Sequence, residues 1–166
     1  ASNSFLATKI SFINEVADLC ETVGANVLDV AKAMGLDNRI GEKFLHAGPG
    51  FGGSCFPKDV KAFSATAKKH HVEFSIINAV NASNRARPIK IASKIKSRFN
   101  NKLEGTSIGI LGLSFKPNTD DIREAPSNHI IKALITRGAQ VQAYDPQAMA
   151  NSKAIFGDKI DFAKDP

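Results

Sequence analysis

The sequence has no tryptophan, one tyrosine (Tyr144) and only two cysteines, Cys20 and Cys55. So few flat polar rings leave little on which nucleic-acid bases can stack, and two distant cysteines do not make a disulfide-stapled scaffold. Cys20 falls in a helical pattern and Cys55 in a glycine-rich stretch, so reduced thiols and a cytoplasmic location are expected. His46, His70, His71 and His129 show no metal-ligand spacing with each other or with the cysteines, and no metal site is expected. No apolar run reaches the length of about 18 residues that a membrane-spanning helix needs, so no membrane partner is expected. The first residues carry no charged and apolar leader of the secretory kind. The chain opens on Ala-Ser-Asn and closes on Lys-Asp-Pro, and a piece of a longer protein is expected.

What is present is a globular composition. With 166 residues, 43% hydrophobic and 23% charged, the chain has the material for one ordinary domain or two small ones. The net charge of +6 is concentrated. Arg85, Arg87, Lys90, Lys94, Lys96, Arg98 and Lys102 occur with no acid before Glu104. Such a stripe either meets an anion or is the solvated face of an amphipathic helix. Ile91, Ile95 and Phe99 recur every four residues as a candidate buried stripe, which favours the helix and no nucleic-acid partner.

Periodicity divides the chain. Leu6, Ile10, Ile13, Ala17, Cys20 and Val23 predict a helix over Phe5 to Val23, stopped by Gly24. Ala25 to Met34 predicts a second, closed by Gly35. Residues 36–56 carry five glycines and Pro49 with no period, a loop of the length that usually serves function. Pro57 restarts a helix through about His70, and Phe74 to Phe99 reads as one long helix bent near Pro88. From Gly105 the texture changes. An apolar strand (Ser107 to Gly112), a polar loop (Lys116 to Glu124), a helix (Pro126 to Arg137) and a strand (Val141 to Tyr144) form a βαβ unit with a parallel sheet. The last twenty residues hold too little to complete a sheet. The fold class expected is α+β, with an all-helical domain over 1–104 followed by the start of an α/β, Rossmann-like parallel-sheet domain over 105–166.

Four constellations carry chemistry. In Phe51-Gly-Gly-Ser-Cys55-Phe-Pro-Lys58-Asp59 the glycines admit close backbone approach. Cys55 sits just ahead of a helix whose dipole favours a thiolate, beside Lys58 and Asp59. Cys55 is therefore either an activated nucleophile or a small buried residue packed at a helix start. In Gly112-Leu-Ser-Phe115-Lys116-Pro-Asn-Thr-Asp-Asp-Ile-Arg123, Lys116 and Arg123 either contact phosphate or pair with Asp120 and Asp121. Arg39 is an anion ligand or a solvated cation, and Phe44 and Phe51 stack on a base or belong to a core. Asn3 is a helix N-cap or a side chain aimed at a site.

These pieces, in this order, resemble the UDP-glucose/GDP-mannose dehydrogenase family. The resemblance rests on Asn3-Ser-Phe-Leu-Ala-Thr-Lys-Ile-Ser-Phe-Ile-Asn-Glu15, Arg39-Ile-Gly41, the Cys55 segment, and Phe115-Lys-Pro-Asn-Thr-Asp-Asp-Ile-Arg-Glu-Ala-Pro126. It spans nearly the whole chain. It implies oxidation of the C6 alcohol of a sugar nucleotide to a carboxylate with two NAD⁺ as cofactor. UDP-glucose is the substrate expected, with GDP-mannose or a UDP-N-acetylhexosamine as alternatives. A dimerisation or nucleotide-binding module without catalysis is the alternative of another class.

By that resemblance Cys55 attacks the intermediate aldehyde, Asn3 supports the oxyanion and Asp59 serves the hydrolytic water. Phe44, Leu45, His46, Ala47, Gly48, Gly52 and Lys116 contact substrate. Arg39 reaches the sugar nucleotide of a neighbouring subunit, in a homodimer or higher homo-oligomer built on the helical domain. Lys58 and Arg123 lie on the NAD side. The family's glycine-rich N-terminal domain and a lysine just before the position of Ala1 are not among these residues, so turnover by this chain alone is not expected.

Overall fold

The computed structural model describes residues 1–166. Six α-helices, one 3-10 turn and three strands divide between two compact units. The first unit comprises Ala1–Gly50 and Cys55–Arg85, and the second Phe51–Ser54 and Ala86–Pro166.

The first unit is helical. α1 (Ser2–Val23) buries Ala7, Ile13, Ala17 and Cys20, whereas Leu6 and Ile10 of the expected stripe are half-buried and Val23 is exposed. It ends at Gly24, whose φ of 74° is the left-handed conformation that only a residue without Cβ adopts without strain. α2 (Val27–Gly35) is capped by Asn26, whose side-chain oxygen accepts from the Leu28 amide at 3.0 Å. α3 (Phe56–Lys69) starts with Pro57 in its first turn, where the missing N–H costs nothing. It packs on α1, with Val60 fully buried. The first half of α4 (Ser75–Arg98) contributes Ile77 and Val80 to this unit.

The second unit is α/β. After β1 (Ser107–Leu111) come α5 (Pro126–Ile135), β2 (Gln140–Tyr144) and α6 (Met149–Phe156). A 3-10 turn (Gly157–Lys159) and the short β3 (Asp161–Phe162) follow. The sheet order is β1-β2-β3 and both pairs are parallel, with Ile108 opposite Val141 and Ala143 opposite Phe162. Parallel neighbours require crossovers, which α5 and α6 supply. Leu113, Ile131, Leu134, Val141, Ala143 and Phe156 form the core. Each large aliphatic side chain withdrawn there stabilises the unit by about 2 kcal/mol. The second half of α4 adds Ala92, Ile91 and Ile95. β1 is an edge strand, with Leu111 exposed.

The expected sequence of a helical part and a parallel α/β part is present, and three expectations change. The tail after Tyr144 does extend the sheet, through α6 and β3. Phe99 does not join the buried stripe of Ile91 and Ile95, since α4 ends at Arg98 and Phe99 is 43% exposed. Arg87 is buried, so it takes no part in the solvated basic face.

Candidate active site

In the first unit the site grows from the start of α3. Cys55 is the residue before its first turn, and its carbonyl accepts from the Asp59 amide at 2.9 Å. Its side chain is exposed and in no disulfide, which removes the reading as a small core residue. Lys58 is exposed in the same turn, and Asp59 is half-buried. Asn3 lies inside the first turn of α1 and is not its cap, which is Ala1. Its Nδ2 donates to Asp59 Oδ2 at 2.7 Å. The packing of α1 on α3 thus joins two of the side chains the sequence singled out.

The loop after α2 is fixed from α1. Lys9 Nζ donates to the Ile40 and Gly41 carbonyls at 2.8 and 3.3 Å. The buried Asn14 Oδ1 accepts from the Gly48 amide at 2.7 Å. Neither Lys9 nor Asn14 was singled out; the available signal is a polar Asn at a core position of α1. Along this loop Leu45 is buried, His46 exposed, and Ala47 and Gly48 half-buried. Phe44 has a φ of 68°, costly for a bulky residue, and its ring lies tilted against that of Phe56 at 5.9 Å between centroids. Phe51 is buried, which places it in a core rather than on a base. Arg39 is exposed and paired with Asp37 at 2.6 Å, an interaction that lowers the Asp37 pKa and raises that of Arg39. It borders a cleft of about 260 Å³ with Phe5, Phe12 and Ile40.

In the second unit the two glycines ahead of Cys55 meet the loop after β1. The Gly53 amide donates to the Arg123 carbonyl at 2.8 Å. A Cβ on Gly52 would run into the Glu124 carbonyl, and one on Gly53 would lie 2.7 Å from the Phe115 ring. The Gly-Gly pair is thus a backbone-to-backbone seat. Lys116 Nζ sits 5.3 Å from the centroid of Phe115, within cation–π range. Arg123 grips Asp121 with two bonds of 2.9 and 2.7 Å. That side-chain contact, then the Arg123 amide, holds the Asp121 carboxyl down at about 2. The pairing anticipated for Arg123 is therefore real, while Lys116 turns to a ring instead of Asp120 or Asp121. Asp145, the residue after β2, is 4% exposed and accepts from four backbone amides.

Residues 1–86 match the central domain of the UDP-glucose/GDP-mannose dehydrogenase family, and residues 109–166 match that family's UDP binding domain. The chain belongs to the UDP-glucose/GDP-mannose dehydrogenase family. It is 49% identical over all of its 166 residues to UDP-glucose 6-dehydrogenase of Rhizobium meliloti, covering 38% of that protein. Against UDP-glucose 6-dehydrogenase of Rickettsia conorii the identity is 51% over 92% of this chain and 35% of the relative. A UDP-glucose dehydrogenase structure from the hyperthermophilic archaeon Pyrobaculum islandicum matches the whole chain. Its TM-score is 0.97 at 44% identity, over 38% of that protein. The chain thus spans little more than a third of the length of these relatives.

Proposed function

We propose that the chain is the central and nucleotide-binding portion of an NAD-dependent UDP-glucose 6-dehydrogenase, a cytoplasmic enzyme that makes UDP-glucuronate. The observation that carries this reading is the Asn3–Asp59 pair one turn from an exposed Cys55 at the head of α3. About 50% identity to UDP-glucose 6-dehydrogenases supports it. In this reading the helical part is a dimerisation domain and the α/β part a UDP-sugar-binding domain; the compact units divide at Arg85 and Ala86, with Phe51–Ser54 in the second, and not at the expected 104/105.

In this reading the Cys55 sulfur adds to the C6 aldehyde, so the half-oxidised sugar cannot escape. The adduct is a thiohemiacetal; loss of a hydride from its carbon leaves a thioester, which water cleaves to the carboxylate and the original thiol. Asn3 supports the oxyanion, and Asp59, oriented by Asn3, positions the water. Arg39, Phe44, Leu45, His46, Ala47, Gly48, Gly52 and Lys116 contact the sugar nucleotide. Leu45 does so through its main chain, because its side chain is buried.

NAD⁺ would supply the hydride-accepting chemistry. Lys58 and Arg123 suit its phosphates, since both are exposed cations. The loop after β1 lacks the glycine cradle of a dinucleotide turn, so the rest of that pocket is not built from these residues. Phe5, Phe12 and Leu19 stay exposed at seven-residue spacing on α1, and the first two line the cleft that Arg39 borders. They support a homodimer in which Arg39 serves the neighbouring site.

The test is NADH yield per UDP-glucose from the full-length enzyme, wild type beside Cys55→Ser. Two NADH per sugar in the wild type, with oxidation stalling in the variant, is expected. A Cys55→Ser enzyme that makes sugar acid at the normal rate removes the covalent role. Oxidation of GDP-mannose or a UDP-N-acetylhexosamine in place of UDP-glucose changes the substrate, and no oxidation of any of them leaves a non-catalytic module.

A further inference from the structure

We propose that Asp145 is a positioning residue for the sugar-nucleotide site, fixing the backbone of Leu113 and Ser114 and so setting the path of the loop that carries Lys116. The inference rests on the assignment of Lys116 to substrate. Asp145 Oδ2 accepts from the Leu113 and Ser114 amides at 2.7 and 3.2 Å. Its Oδ1 accepts from the Gln147 and Ala148 amides at 2.8 Å each. Pro146 has no amide of its own and pre-sets its φ, so the next two amides turn back onto the carboxylate. One buried side chain therefore ties the exit of β1 to the exit of β2.

The same strut runs on towards Lys116. The Ser114 hydroxyl donates to the Lys116 carbonyl at 2.8 Å and lies 3.4 Å from Asp145 Oδ2. From the other side, the Ser127 hydroxyl of α5 donates to the Leu113 carbonyl at 2.7 Å. Leu113 is thus held at its amide and its carbonyl, Ser114 at its amide and its hydroxyl, and Lys116 at its carbonyl, and Asp145 supplies the only carboxylate among these bonds.

Ligands of parallel α/β sheets bind beyond the carboxyl ends of the strands, where an acid after the second strand commonly holds a ribose. Asp145 occupies that place, but both its oxygens are committed to main-chain amides and its side chain is buried. It acts on a ligand only through the loop. A carboxylate is the fitting group, having two acceptor oxygens and no donor to oppose four N–H groups. Burial pushes its pKa up, but the four amides outweigh this and hold it below the ordinary carboxylate value.

The test uses the full-length enzyme with Asp145→Asn, which turns an NH₂ towards amide donors. Expected are rises of about tenfold in KM for UDP-glucose and in the calorimetric Kd for UDP, as displaced binding groups produce. KM for NAD⁺ and kcat per active site should stay within about twofold. Unchanged KM and Kd, with loss only of melting temperature or active fraction, would make Asp145 a stability residue and overturn the proposal. If Asp145→Asn does not fold, Ser114→Ala decides, since it cuts the bond to the Lys116 carbonyl and the long contact to Asp145 Oδ2 but leaves the buried carboxylate its four amide donors. A rise of about threefold in the same two constants is expected, and no change overturns the proposal. Wild-type enzyme that binds UDP but oxidises no UDP-glucose would end the substrate assignment while the UDP Kd still tests Asp145. Wild-type enzyme that binds no UDP would overturn both.

Discussion

Asn3 and Asp59 stand 56 residues apart in sequence and share a 2.7 Å hydrogen bond in which the amide donates to the carboxylate. The bond orients the Asp59 carboxylate through its Oδ2. In the full-length enzyme, Asn3→Ala is expected to lower kcat about 100-fold, the scale of losing one preorganised donor. KM for UDP-glucose should change by less than about threefold. Steady-state kinetics on NADH formation decide it, and a kcat near wild type would leave Asn3 without a part in the chemistry.

The seat formed by Gly52 is a prediction about stability. Gly52→Ala sets a methyl group against the Glu124 carbonyl, main chain against main chain, with no flexible side chain to yield. A loss of about 2 kcal/mol is expected, or a fall of about 6 °C in Tm by calorimetry. Gly109→Ala is the matched control, because nothing lies within 4 Å of its added Cβ. Equal Tm values for the two variants would refute the packing argument.

Arg123 sets the charge state of Asp121. Removing the guanidinium in Arg123→Gln should return the Asp121 carboxyl from about 2 towards about 3.9. Carboxyl carbon-13 NMR titration reads this directly, and an unmoved titration would assign the depression to another cause.

For Asp145 the pH dependence has a definite sign. A carboxyl whose folded-state pKa lies below its unfolded value stabilises the fold above about pH 3.9. That contribution disappears as the pH falls through the lower folded-state value. Urea midpoints between pH 7 and pH 3 should therefore fall faster in wild type than in Asp145→Asn, and the two curves should converge in acid. Parallel curves would mean that Asp145 is not the titrating group.

Much of this could be read from the residues, and the limits have physical reasons. α1 and α5 announce themselves because Ile, Leu and Ala recur at helical spacing between Gly or Pro punctuation, and α3 because Pro57 opens it. Cys55, Lys58 and Asp59 are found together because they fall within five residues of each other. The role of Asp145 is not legible because its partners at Leu113 and Ser114 are 32 and 31 positions away and are main-chain amides, which every residue but proline owns. Asn14 and Lys9 likewise act on the backbone of a distant loop. β3 is two residues long, too short to show an alternation, and exists because β2 offers it a ladder. Phe99 continued a numerical period past the end of its helix, where that period no longer has a meaning.

The position of β1 at the rim of the sheet also governs how this chain behaves in a test tube. A rim strand offers its main-chain groups to any extended segment, including β1 of another copy. Folding is first order in protein and this capture is second order, so the two compete through concentration. Refolding yield should fall steeply as the chain is concentrated, while the rate of folding itself stays constant.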